Sequence, residues 1–430
     1  MNAPASRRTL LRALYDEAVE AAQPAHCLAP HWPEPPKGRI VLLAGGKAAG
    51  RMAKAAEDHF IGRLGLGPDR FNGLAVTRTG YGVPTERIEI VEAAHPVPDA
   101  IGVAATQRIL ALASAAGPDD LVLALLSGGA SANWIAPLGA LTLSDKQAVT
   151  RALLRSGAGI GAMNTLRKHL SAIKGGRLAL AARPAPLVTL GISDVPYDDP
   201  SVIGSGPTVP DPSTQADALA IVRDYGITLP DAAAALLADP AQESPKPGDP
   251  AFADTTYRVV ASPALSLAVV AHKARAAGYE LINLGAEVAG EARLVAQEHA
   301  ALARDCHAAG RKVAILSGGE LTVTIKGHGR GGPNQEYALA LAMALDGTPG
   351  IEAIAGDTDG TDGGGGHADD PAGAYIDPTT RARGLAAGRN PVIDLDNNDS
   401  TGFFEAVGDL LSPGPTGTNV NDLRAILVDP

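Results

Sequence analysis

The sequence predicts an α/β protein of two domains, and three observations carry that expectation. Apolar, β-type runs alternate with Ala/Leu-rich helical stretches along the 430 residues, which is the pattern of strands joined by helices. Several of those runs are continuously apolar, as strands covered on both faces of a parallel sheet are. A stretch rich in proline and poor in apolar residues, "DPAQESPKPGDPAFAD" at 239–254, interrupts the alternation and reads as a boundary. The expected domains are 1–238 and 255–430.

The elements follow in order. "SRRTLL" near the start resembles a twin-arginine signal, but "RALYDEAVEAA" follows where an uncharged apolar stretch is needed. Leu10, Leu11, Leu14 and Val19 sit at roughly helical spacing, so the segment is expected to be an amphipathic helix of the mature protein, and the compartment the cytoplasm. Strands are expected at 39–45, 73–78, 87–93, 120–128 and 186–193, then at 256–262, 279–285, 312–318 and 351–356. "ELTVTIKG" (320–327) alternates better and is expected to pair antiparallel. No run has the length of a transmembrane helix.

Composition narrows the function. A net charge of −11 argues against nucleic acid and anionic membranes as partners. An anionic small substrate would need a locally basic site. The two cysteines, Cys27 and Cys306, offer neither a disulfide framework nor a zinc site. Aromatic residues make up only 3 % of the chain, so the core must be aliphatic.

Several stretches hold candidate chemistry. In "LLAGGKAAGRMAKA" (42–55) a strand ends in Gly45-Gly46 and Lys47 opens a helix. A cation at a helix N-terminus is unfavourable unless an anion is near, so Lys47 is a phosphate or carboxylate candidate; a solvated lysine is the plain alternative. Val41 and Ala48 exclude a Walker A motif, and Lys47 excludes G-x-G-x-x-G. Apolar runs end twice in Ser-Gly-Gly, at Ser127-Gly128-Gly129 and at Ser317-Gly318-Gly319-Glu320. Such turns can aim backbone N–H groups at an anion or simply end a strand. Between Lys146 and Ser193 there is no acidic residue but eight Lys and Arg. A helix over 165–174 would set Arg167, Ser171 and Lys174 on one basic face, suited to a charged small substrate. Asp194 stands at a strand's carboxyl end, where a base or metal ligand belongs. In "GHGRGGPNQE" (327–336) Arg330 is set among glycines, and Asn334 and Glu336 open a helix.

The last stretch, "GDTDGTDGGGGHADD" (356–370), packs five aspartates and six glycines. It fails the EF-hand pattern, since Asp362 and Ala368 stand where Gly and Glu are required, and it fails the nonapeptide calcium repeat. Mg²⁺, which uses one or two carboxylates plus phosphate oxygens, suits Asp357, Asp359 and Asp362. A solvated turn is the alternative. His95 and His328 lie in loops without partners at metal-ligand spacing. No G-x-S-x-G or H-E-x-x-H occurs.

Taken together, "GGKAAGRMA", "AHPVPD", "LLSGGASA", "LRKHLSAIKGGRLA", "SDVPYDDPSVIGSGPTVPD", "LSGGELTVTIKGHGRGGPNQE" and "AGDTDGTDG" resemble the glycerate 2-kinases of the MOFRL type, whose members are often labelled hydroxypyruvate reductase. The motifs run in order from 42 to 363. The resemblance implies a Rossmann-like N-terminal domain with a mostly parallel sheet, a smaller C-terminal MOFRL α/β domain, and an active site in the cleft between them. It implies transfer of the ATP γ-phosphoryl group to D-glycerate, giving 2-phosphoglycerate, with Mg²⁺. Lys47 and Arg330 match the family's charge stabilisers, with Asp194 as base or orienting group. Ser127, Gly128, Gly129, Arg167, Lys174, Ser317, Gly318, Gly319, Glu320, Asn334 and Glu336 are the expected substrate and nucleotide contacts, and Asp357, Asp359 and Asp362 the metal ligands. Partners would be small molecules, with a homodimer left open. "GGGGHADD" departs from the family pattern, so no role falls to Asp369 or Asp370. The rival reading, a nicotinamide-dependent hydroxypyruvate reductase, lacks a dinucleotide fingerprint.

Overall fold

Six strands form the first sheet: β1 (Ile40–Gly45), β2 (Phe71–Arg78), β3 (Glu89–Ala93), β4 (Leu121–Leu126), β5 (Leu187–Ile192) and β6 (Thr255–Ala261), in the order β3-β2-β1-β4-β5-β6. The pairs β1–β2, β1–β4, β2–β3 and β4–β5 are parallel. The continuous apolar runs have their expected cause. Every residue of β1 and of β4 is buried, because the sheet is covered on both faces. On one face Val41, Leu43, Leu74, Val76, Val122 and Ala124 pack on Ala105, Ile109 and Ala113 of helix Ala100–Ser114 and on Leu178 and Ala182 of helix Arg177–Ala182. Helices Leu143–Arg155, Ile160–His169, Gln215–Asp224 and Asp231–Ala238 form a satellite cluster around Leu153, Leu166 and Leu237.

This computed structural model describes residues 6–363 and 369–430; the Gly364–Ala368 part of the aspartate-rich stretch lies outside the described residues. The chain forms two units, Pro24–Val260 and Met1–Gln23 with Ala261–Pro430. That division differs at both ends from the one expected. The 239–254 stretch is internal to the first unit: Asp211 N–H donates to the Pro245 carbonyl at 2.9 Å, and Leu187 N–H to that of Asp254 at 3.0 Å. These bonds seat β6 at the edge of the first sheet, although 255 onwards was expected to open the second domain. The N-terminal helix Arg7–Ala21 buries Leu11, Leu14, Tyr15 and Ala18, a stripe of helical period. That stripe packs on Ala314, Leu316, Ile354 and Leu423 of the second unit.

The second unit holds β7 (Glu280–Asn283), β8 (Gly290–Glu291), β9 (Val313–Ser317), β10 (Leu321–Thr322), β11 (Ile351–Asp357), β12 (Gly373–Ile376), β13 (Leu410–Leu411) and β14 (Asp422–Val428). Its six-stranded sheet runs β13-β12-β11-β14-β9-β7 and is mixed. β11 lies antiparallel to β12 and β14, and β14 antiparallel to β9, while β7 and β9 are parallel. The expected 320–327 strand shortens to two residues, which pair with β8 parallel rather than antiparallel. Beyond Thr322 the side-chain alternation continues, but Lys326 and Gly327 donate their N–H groups to Asn398 Oδ1 at 2.8 and 3.0 Å instead of to a strand. Among the described residues no helix is long and apolar enough to cross a membrane.

Candidate active site

In the first unit the strand order reverses between β1 and β4, and ligands of open α/β sheets bind at the carboxyl ends of such a pair. The turns leaving these two strands are interlocked. Lys47 N–H donates to the Gly128 carbonyl at 2.7 Å, and Ser127 N–H to that of Gly45 at 3.0 Å. Ala48 N–H donates to Ser127 Oγ at 3.0 Å, so the serine hydroxyl starts helix Ala49–Glu57 and is not turned to a ligand. Gly46, at φ +115°, lies against the Ser127 and Gly128 carbonyls, where a Cβ would collide with both. Gly46→Ala is therefore expected to destabilise the fold by about 1–3 kcal/mol, read as a lower denaturation midpoint. Gly129 takes the left-handed φ of +85° and brings Lys47 Cγ and His95 Nε2 each within 3.2 Å of its Cβ direction. Lys47, His95 and the Gly128-Gly129 turn thus share one site. Sequence reading gave His95 low weight as a lone loop histidine, because its neighbours in this site are distant in the chain.

Asp194 follows β5, half-buried, at the head of a contorted loop. Tyr197, Asp198 and Ser205 there take positive φ values of 62°, 53° and 63°. Such backbone costs of order 1–3 kcal/mol per residue and persists where surrounding structure enforces it, often at functional sites. The loop is tied down by Ser131 Oγ, 2.8 Å from Ser205 Oγ, and by Gly175 N–H donating to the Ser205 carbonyl at 3.0 Å.

The expected helix over 165–174 is not formed. It ends at His169, and Gly175 and Gly176 turn the chain with φ of +58° and +82°, so Arg167, Ser171 and Lys174 do not share a helical face. Lys174 is 1 % exposed, and its Nζ donates at 2.9 Å to the carbonyls of both Ser131 and Trp134. It braces the turn after Gly129 rather than meeting a ligand. Lys146 is also buried, with Nζ donating to the Leu170 carbonyl at 2.8 Å. Burial, aided by the Arg167 charge, pushes its ammonium down to about 7. The unfolded chain keeps that proton to about pH 10.4, so the unfolded state binds more protons between the two values. Stability from this residue is complete above about 10 and lost as pH falls through about 7. Lys146→Met is expected to flatten the rise of denaturation midpoint between pH 7 and 10.

In the second unit one arginine organises the Ser-Gly-Gly turn. Arg424, on β14 and 1 % exposed, donates to Ser317 Oγ at 3.2 Å, to Asp422 at 3.1 Å, and to the carbonyls of Gly318 and, at 2.8 Å, Gly319. The turn's carbonyls are thereby fixed inward. Gly318 N–H is itself committed to the Gly285 carbonyl at 2.8 Å, so it is not a donor for a ligand. Glu320, next in the chain, is exposed.

The three aspartates do not converge as a metal cage; among the described residues no three acidic, histidine or cysteine side chains do. Asp362 is buried and caps helix Pro333–Leu345, accepting from the N–H groups of Asn334 and Gln335 at 3.0 and 2.8 Å and from both side-chain amides. A carboxylate there suits the helix dipole, and four donors leave it no room for a cation. Asp357 Oδ1 accepts from Asp359 N–H at 2.9 Å, and Asp359 Oδ1 from Thr361 N–H at 2.8 Å. Glu336 is likewise committed, to Arg293 at 2.6 Å and Asn398 at 3.0 Å. Asn334 bridges Asp362 and Asp422 through its amide nitrogen, while its Oδ1 is buried without a hydrogen bond among the described residues. Arg330 is exposed and pairs with Glu405 at 2.8 Å. An exposed pair of this kind holds by about 0–1 kcal/mol, so the guanidinium is readily redirected.

Known proteins place this arrangement. The D-glycerate 2-kinase of Thermotoga maritima is 39 % identical over 427 residues, spanning 98 % of both chains. The chain belongs to the glycerate 2-kinase family of the MOFRL type. Residues 313–422 match the model described as the MOFRL family, and residues 10–238 match a domain of unknown function, DUF4147. The crystal structure of glycerate kinase from the same organism superposes with a TM-score of 0.87 at 36 % identity, covering 98 % of this chain and 99 % of that one. A putative hydroxypyruvate reductase of Agrobacterium vitis is 49 % identical over 98 % of this chain and 95 % of its own. The kinase family fits the site better than that reductase name does. The turn after β1 reads Gly45-Gly46-Lys47, with a lysine where a dinucleotide fold needs its second glycine.

A glycerate 2-kinase implies a metal beside the nucleotide, and the residues present fit one mode of holding it. Asp359, Asp362 and Asp422 are all buried: burial and the Asp422 charge drive Asp362 up to about 7, and Asp422 is also raised by burial, with Asp359 adding to it. Excess buried negative charge would be relieved by a divalent cation. Mg²⁺ needs only one or two carboxylates, its shell being completed by phosphate oxygens.

Proposed function

We propose that this kinase transfers the γ-phosphoryl group of ATP to the 2-hydroxyl of D-glycerate, giving 2-phosphoglycerate and ADP. The observation that carries the proposal is the meeting of Lys47 with the Gly128-Gly129 turn at the β1/β4 switch point. A lysine side chain beside a glycine turn at a switch point suits an anion, and phosphoryl transfer is catalysed chiefly by positioning and charge stabilisation.

The reaction assigns the residues as follows. Asp194 orients the 2-hydroxyl and takes its proton as oxygen attacks the γ-phosphorus. The bond from that phosphorus to the β–γ bridging oxygen breaks, and ADP leaves. Lys47 neutralises charge spreading over the transferring group. Asp357 and Asp359 are the residues that would hold Mg²⁺, whose chemistry is to neutralise the β- and γ-phosphate oxygens.

The test is ADP release with D-glycerate, ATP and Mg²⁺, coupled to enolase. Rapid release with an enolase-competent product is expected. Release without the enolase signal would move the phosphate to another hydroxyl. No release, with NADH consumed on hydroxypyruvate, would replace the kinase reading with reduction.

A further inference from the structure

Helix Ile160–His169 ends in three consecutive basic residues, Arg167, Lys168 and His169. Two of them have acidic partners: Lys168 Nζ lies 3.3 Å from Asp211, and His169 Nε2 lies 3.0 Å from Glu243. Arg167, half-buried, has no hydrogen bond or ion pair to any described residue. Its charged neighbours are of its own sign. It bears on Lys146 and on Lys174, whose ammonium groups are held by main-chain carbonyls alone. No Asp or Glu occurs from 146 to 193. Burial pushes both lysines toward the neutral form, whereas the half-buried guanidinium keeps its charge with no carboxylate partner, which is costly. An arginine with all five donors unspent is the group best shaped to accept a planar oxyanion in two parallel bonds.

The cluster adjoins the proposed site. Lys174 grips the carbonyls of Ser131 and Trp134, in the turn that leaves Gly128-Gly129. Ser131 in turn meets Ser205 of the loop that begins at Asp194.

We propose that Arg167 binds the carboxylate of the three-carbon acid, with Lys146 and Lys174 bracing the backbone beneath that subsite. The proposal rests on the kinase reading for the identity of the acid. Arg167 touches the carboxylate and sets acceptor specificity. Lys146 and Lys174 act through the backbone they hold.

Steady-state kinetics of the full chain carrying Arg167→Gln, with Arg167→Lys beside it, test this. Loss of a charge-assisted, two-point contact is expected to raise KM for D-glycerate roughly 10- to 100-fold, leaving KM for ATP unchanged. Preference for D-glycerate over glycerol, which lacks the carboxylate, should shrink by the same factor, and the lysine variant should recover part of it. A raised KM for ATP with D-glycerate unaffected would assign the cluster to nucleotide phosphate and overturn the proposal. So would two unaltered Michaelis constants. Titration calorimetry of D-glycerate on wild type and Arg167→Gln, both with unchanged melting, separates the two readings. An inactive wild type that still binds D-glycerate through Arg167 would sink the kinase reaction and leave the carboxylate subsite standing.

Discussion

Lys47→Ala is expected to lower kcat/KM for D-glycerate by about three orders of magnitude while the denaturation midpoint stays within a degree or two. The two halves of that expectation come from different atoms. The fold uses Lys47 through its main chain, whose N–H closes the turn onto the Gly128 carbonyl and whose carbonyl accepts from Thr77 Oγ1 at 3.3 Å. Alanine keeps both bonds. The proposed reaction would use the ammonium, to neutralise the negative charge that spreads over a transferring phosphoryl group. Loss confined to kcat would mean that the ammonium acts only in the transition state, and a matching rise in the KM for ATP would mean uniform binding of the nucleotide. Turnover near wild type would remove Lys47 from the mechanism.

Arg424→Met should have the largest effect on stability. Its guanidinium is buried and joins Asp422, Ser317 and two carbonyls of the second Ser-Gly-Gly turn. Taking away one partner of a buried pair leaves the other charge uncompensated, at a cost of about 3–5 kcal/mol. The remaining carboxylate, Asp422, already feels Asp359 and is raised by burial. A double variant, Arg424→Met with Asp422→Asn, is therefore expected to regain a good part of the loss, because the costly species is the orphaned charge and not the missing contact. Chemical denaturation of the single and double variants decides this; equal losses in both would place the cost in the released Gly318 and Gly319 carbonyls instead.

Neither Arg424 nor Asp422 was legible in the sequence. "DLRAILV" near the chain's end carries two charges within three residues, which reads as a surface segment, yet it is β14, between β11 and β9 in its sheet. Its charges are buried because they answer each other and the turn beside them. β12 was missed for a related reason: "GAYI" is too short to show a period. The misreading of Asp362 was of another kind. Aspartate density after a strand was taken as metal chemistry, while one of the three carboxylates was needed to cap a helix that begins some thirty residues earlier in the chain. Lys174 was assigned to a ligand because sequence cannot distinguish a basic side chain turned to solvent from one buried against carbonyls.

What the sequence determined by itself was whatever depends on near neighbours. Continuous apolar runs set the strands of the first sheet, since a strand covered on both faces needs no polar side. Gly45-Gly46-Lys47 and Ser127-Gly128-Gly129 marked the turns, because only glycine tolerates the φ and the close approach found at Gly46 and Gly129. The order of these motifs carried the family. Only the tertiary structure decided which carboxylates and cations are spent on the fold and which remain for chemistry. Hydrogen-bond partners of a buried charge come from distant segments, and the cost of leaving such a charge unpaired selects among assignments that look alike along the chain.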